Sequence, residues 1–72
     1  MKYYAIQHKG TGRFVAGTDF SHADGKIRQL YATNERPPLL LSGEKLGMEL
    51  KHRQIDLKHY AVVIVEVGKA VL

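Results

Sequence analysis

The chain has 72 residues, of which 44% are hydrophobic and 25% charged, with a formal net charge of +4 and no cysteine. That length suits one domain, residues 1–72, which buries only about 60% of the surface its unfolded form exposes, and the composition is that of an ordered globular protein rather than a disordered one. The missing cysteines exclude a disulfide framework and a thiolate metal site, and the longest apolar run, Ala61 to Val65, falls far short of the roughly 20 residues that span a bilayer.

Lys2 to His8 alternates, with Tyr4, Ile6 and His8 on one side and Tyr3, Ala5 and Gln7 on the other. That period of two predicts a strand. Arg13 to Gly17 reads as its hairpin partner. Between them, Lys9-Gly10-Thr11-Gly12 predicts a tight turn with Gly12 at positive φ, where a glycine carries no steric penalty. Residues 18–25 are rich in turn formers and predict a loop. Lys26 to Thr33 predicts a third strand with no clearly apolar face, which suits a sheet edge. Asn34-Glu35-Arg36-Pro37-Pro38 stops regular structure. Leu39 to Leu41 is a short apolar run expected to be buried.

Ser42 is an expected helix N-cap, and Glu44 follows it in the first turn, against the positive end of the helix dipole. The helix is predicted over residues 43–54. Leu46 and Leu50 define its inner stripe, which Ile55 or Leu57 extends. Gly47 costs it about 1 kcal/mol relative to alanine. Lys45, Glu49 and Arg53 recur every four residues and predict an ion-paired solvent face. Tyr60 to Val67 predicts a strand that is largely apolar on both faces. Such a strand belongs in mid-sheet or beneath a subunit interface, and as a bare edge it invites aggregation. Gly68-Lys69 ends it, ahead of an apolar tail over 70–72. The order β-β-β-α-β predicts an α+β domain: a small, mostly antiparallel sheet, its last strand beside its first, with one helix packed on one face.

The stretch HKGTGRFVAGTD, residues 8–19, has glycines that invite a phosphate. A dinucleotide fingerprint needs a third glycine where Val15 stands and a helix where a strand follows. A P-loop needs a lysine after Gly17, and Thr18 stands there. The hairpin reading is the better one. The four histidines, His8, His22, His52 and His59, include no pair at the helical spacing of a zinc motif. Ser21 and Ser42 lie in no nucleophile elbow, and none of the acids stands out as a catalytic pair. We expect no catalytic residue, no cofactor and no metal. The N-terminus has no apolar segment of the signal-peptide type, so a cytoplasmic protein without membrane contact is expected.

The densest basic stretch is Lys51-His52-Arg53-Gln54-Ile55-Asp56-Leu57-Lys58-His59. Arg28, Arg36, Lys51, His52, Arg53 and Lys58 form the candidate surface for a partner or for nucleic acid. A nucleic-acid surface of this kind binds with strong salt dependence, yet the stretch lacks the interleaved aromatics of single-strand binders and any helix-turn-helix pattern. The bland reading is a solvated helix end with cations at the negative end of its dipole.

The opening KYYAIQHKGTGRFVAGTDF and the ending LLLSGEKLGMELKHRQIDLKHYAVVIVEV resemble those of small phage- and prophage-encoded proteins of unknown function. The shared traits are a Lys-Tyr-Tyr strand, a Thr-Gly turn, a short helix, a basic segment and a Tyr-x-Val-Val strand. The resemblance implies a compact accessory protein in the cytoplasm of a bacterial host and implies no catalytic residue. The expected function is therefore non-enzymatic: protein–protein binding, with an unknown partner protein or a second copy as a homodimer. The alternative is a basic nucleic-acid-binding module using residues 51–59.

Overall fold

The computed structural model describes residues 2–21 and 24–66. It contains β1 (Lys2–His8), β2 (Val15–Asp19), β3 (Arg28–Tyr31), α1 (Gly43–His52) and β4 (Tyr60–Glu66). The fold is α+β, with four strands in two antiparallel two-stranded sheets, β1–β4 and β2–β3, and one helix. The expected His22, Val67, strand end at Gly68-Lys69 and tail over 70–72 lie outside the described residues.

β1 is the spine. On one edge it pairs with β4 from Lys2↔Glu66 to His8↔Tyr60. Its other edge is bridged by Phe14 at Gln7 and by Leu41 at Tyr4. Tyr4 and Leu41 exchange N–H and C=O bonds, each 2.8 Å, so a loop residue does the work of a neighbouring strand. The chain then leaves β1 through the expected turn. Gly12 is at φ 75, its N–H bonds the His8 carbonyl at 2.8 Å, and the Gln7 amide reaches its carbonyl at 2.9 Å. The His8 ring adds a clasp, with Nδ1 accepting the Thr11 N–H at 3.1 Å.

The second strand does not start at Arg13 as its alternation suggests. Phe14 makes only a bridge to β1, and the strand proper runs on to Asp19, taking residues expected in a loop. In β2–β3, Val15 faces Tyr31 while Gly17 faces Leu30, so Ala16 is an extra residue that bends β2 out of alternation. β3 is shorter than the expected 26–33, and it pairs with β2 alone among the described residues.

The core is Ile6, Val15, Leu41 and Ile55, with Tyr31, Leu39, Leu46, Leu50 and Tyr60 packed on it. Leu46 and Leu50 are the expected inner stripe of α1. Ile55 extends it, whereas Leu57 is exposed. Of the run expected to be buried, Leu41 is buried and Leu39 half-buried, but Leu40 is 43% exposed. Ser42 does occupy the N-cap position, with Glu44 in the first turn, but its side chain makes no capping hydrogen bond.

The helix stops two residues before the expected Gln54. Gln54 sits at φ 53, its N–H bonds the Lys51 carbonyl at 3.1 Å, and the Ile55 N–H bonds the Leu50 carbonyl at 2.9 Å. This is a Schellman end, and the Ile55–Leu50 contact is its usual apolar companion. Glycine ordinarily fills the left-handed position, because a side chain there costs about 1–2 kcal/mol. Gln54→Gly is therefore expected to raise stability by about 0.5–1 kcal/mol after the added freedom of the unfolded chain is subtracted. A urea midpoint that stays put or falls would show that the glutamine side chain contributes more than its backbone strain costs.

Candidate interaction surface

β4 leaves one long edge of its sheet open among the described residues. Among the described residues it pairs with β1 only, so of the two placements its sequence suggests, mid-sheet or beneath a subunit interface, the first does not hold there. The open groups on its outer edge follow from register. Tyr4 gives its backbone groups to Leu41, so the alternating Tyr3, Ala5 and Gln7 face β4 and meet Val65, Val63 and Ala61. The backbone groups of Val62 and Ile64 therefore point outward. At the strand's start the Tyr60 N–H is already used, bonding the Asp56 carbonyl at 2.9 Å. From Tyr60 to Val65 the edge carries none of the usual guards: no lysine, no proline and no inward charge. The Ile64 side chain is 61% exposed.

On the other face of the same sheet lies an apolar hollow of about 300 Å³, lined by Ala5, Phe14, Pro37, Pro38, Leu40 and Val65. The proline pair that ends the third strand's segment thus forms one wall, and Leu40 is exposed because it forms another. Sequence reasoning missed this hollow. Its one signal was two adjacent prolines leading into three leucines.

The candidate basic residues are divided rather than gathered. Arg53 was expected on a solvent face with Lys45 and Glu49, but its side chain is only 16% exposed. It bonds Glu49 at 3.4 Å and donates from Nη1 to the Thr18 hydroxyl at 3.0 Å. Thr18 donates in turn to the Gln29 Oε1 at 2.7 Å, and the Gln29 amide donates to the Arg53 carbonyl at 2.8 Å. The closed circuit ties the end of α1 to the β2–β3 ribbon. Arg53 Nε is buried without a partner, while Nη1 and Nη2 are committed inside the protein to Thr18 and Glu49. His52 lies against the Phe20 ring, centroids 4.9 Å apart. Arg28 faces Asp24 at 3.9 Å in an exposed pair. Arg36 lies beyond the opposite end of β3, in a turn where its N–H bonds the Thr33 hydroxyl at 3.1 Å. Lys51 and Lys58 are exposed, Lys58 in the turn before β4. There the Asp56 carboxylate accepts the Lys58 N–H at 2.8 Å and meets the His59 ring at 2.7 Å. Those two bonds hold the Asp56 carboxyl below its usual range.

A ring cluster, also unforeseen, joins the two sheets. His8 and Tyr60 are register partners, with ring centroids 5.0 Å apart. Tyr31 lies edge-on to His8 at 6.2 Å, its hydroxyl 2.7 Å from that of Tyr60, and the Arg13 guanidinium sits over its ring at 4.8 Å. Burial, the Tyr31 hydrogen bond and Tyr31's charge push the Tyr60 hydroxyl up to about 12. A pKa raised by folding adds stability in full below the unfolded tyrosine value of about 10, and that stability is lost as pH rises through the folded value. Absorbance titration should show a phenolate component near pH 12 that is missing in Tyr60→Phe. Full ionisation near pH 10 would mean the hydroxyl pair does not hold in solution.

Among the described residues no three histidine or acidic side chains group to hold a metal ion, and no helix is long and apolar enough to cross a membrane. These elements define a small α+β domain with an open, apolar sheet edge. Comparison with protein-family models, with curated proteins and with solved structures finds no match.

Proposed function

We propose that this chain is a non-enzymatic binding module of the small phage accessory type, acting in the cytoplasm of a bacterial host by protein–protein contact through the outer edge of β4. The observation that carries this reading is the exposed strand itself. Outward backbone groups at Val62 and Ile64 want hydrogen-bond partners, and an unguarded apolar edge is hazardous unless something pairs with it. Strand addition satisfies both demands at once. The alternative, a nucleic-acid surface built from Arg28, Arg36, Lys51, His52, Arg53 and Lys58, needs cations that converge. Arg53 is spent inside the fold, and no observation favours that reading over the β4 edge.

The test is capture from a bacterial lysate by the immobilised chain, beside Ile64→Lys, which places a guard charge on the edge at an exposed position. The native chain should retain a protein that the variant loses, with both showing the same circular dichroism spectrum. A protein retained equally by the two chains would contradict the reading.

A further inference from the structure

Resting on that reading of the β4 edge, we propose that the strand it receives is β4 of a second copy, paired antiparallel about a twofold axis at Val63. The sequence of the strand favours this occupant. Tyr60-Ala-Val-Val-Ile-Val-Glu66 reads nearly alike in both directions about Val63. In that register Val63 faces its own copy, Val62 faces Ile64, Ala61 faces Val65, and Tyr60 faces Glu66. Every pair in the middle of the contact is apolar, and most join β-branched side chains, the best partners across a ladder.

The backbone agrees with the side chains. Antiparallel partners must both point their N–H and C=O groups into the seam, or both away from it. Val62 and Ile64 both point outward, so they exchange bonds across the axis, and Val63 forms the non-hydrogen-bonded pair at its centre. At the ends, the Tyr60 N–H is committed to Asp56, which leaves its carbonyl for the second copy's Glu66 N–H. The charges also fit. Glu66 is the one acid in the strand, and this register brings it to the end where Lys58 is exposed. A shift that centres Ile64 would instead set Glu66 against Val62. The result is a continuous sheet in the order β1–β4–β4–β1, with the exposed Ile64 of each copy set against Val62 of the other.

The native chain has no cysteine, so single-cysteine variants read the register without interference. The paired Cα atoms at a non-hydrogen-bonded position are about 4.5 Å apart, within disulfide range. Purified Val63→Cys should oxidise to a covalent dimer faster than Val62→Cys or Ile64→Cys, which sit on the axis only in shifted registers. Light scattering on the native chain should show mass doubling with concentration. A strand pair is small beside the roughly 1,200–2,000 Å² of a standard stable interface, so the change should be graded. Ile64→Pro removes an outward N–H that no β1 partner uses, and it should stay monomeric with its circular dichroism unchanged.

Faster cross-linking of Val62→Cys or Ile64→Cys would overturn the register. A native chain that stays monomeric at high concentration, with no cross-link from any variant, would overturn self-pairing. If lysate capture still depended on Ile64 in that case, the wider reading of the edge would stand without it. A chain that self-pairs in this register but captures nothing supports the proposal and removes the need for any other partner.

Discussion

Ile6→Ala is expected to leave a large fraction of the protein unfolded in water. Ile6 is 1% exposed and is one of the largest fully buried side chains, on the β1 face that meets Val15, Leu41 and Ile55. Truncating a buried isoleucine to alanine removes its transfer energy and leaves a cavity, about 2–5 kcal/mol in all. A single core at this chain length supplies only about 3–5 kcal/mol. The loss therefore matches the whole stability of the domain, with no cysteine to supply a disulfide that would make it up. Ile64→Ala is the matched control: it deletes the same atoms from a 61% exposed position and should cost within about 0.5 kcal/mol. Urea unfolding of dilute samples, followed by circular dichroism, separates the two. Similar losses at both sites would mean that the core does not lie on the Ile6 face.

The second large effect is expected at Arg53. Arg53→Ala removes the guanidinium bonds to Thr18 and Glu49 and leaves Glu49, only 21% exposed, without its cation. Hydrogen bonds to charged groups contribute about 1.5–3 kcal/mol, so a loss of about 2 kcal/mol is expected. Lysine cannot restore it, because a point charge cannot span two acceptors as the planar fork does. Combined with Thr18→Val, the loss should be less than additive, since both changes break one network. Lys51→Ala, at an exposed position of the same helix end, should cost almost nothing. If Arg53→Ala is as mild as Lys51→Ala in urea, the helix is not clamped to the β2–β3 ribbon in this way. In any binding assay Arg53→Ala would weaken the protein through its fold, so Lys51 and Lys58 are the better probes of surface charge.

Where a feature depended on local periodicity, the sequence made it plain. Alternation in residues 2–8 predicts β1, two largely apolar faces over residues 60–67 predict β4, and that apolar last strand is expected beside the first. Gly12 announces its own positive φ, and Leu46 and Leu50 announce the inner face of α1. The misread features depend on contacts distant in sequence or on one unusual residue. Arg53 follows Glu49 by four and reads as half of a surface pair. Nothing local reveals Thr18, 35 residues away, which draws it inward. Gln54 ends the helix from the left-handed region with no glycine to signal it. The extra residue at Ala16 breaks the alternation on which the second strand's limits rest. The hollow behind Phe14, Pro37 and Leu40 arises only when the loop before α1 runs alongside β1, an arrangement no periodicity encodes. The apolar character of both β4 faces was legible, but not that one of its edges is left open.

Amide hydrogen exchange along β4 is the most direct measure of that open edge. The amides of Val63 and Val65 bond β1 and should be protected at every concentration. Those of Val62 and Ile64 point outward, and they should exchange freely in dilute solution and become protected, in step with the light-scattering mass, as the protein is concentrated. Val62 and Ile64 amides already protected in dilute solution would contradict the open edge, and amides that stay freely exchanging in concentrated solution, while Val63 and Val65 stay protected, would contradict self-pairing.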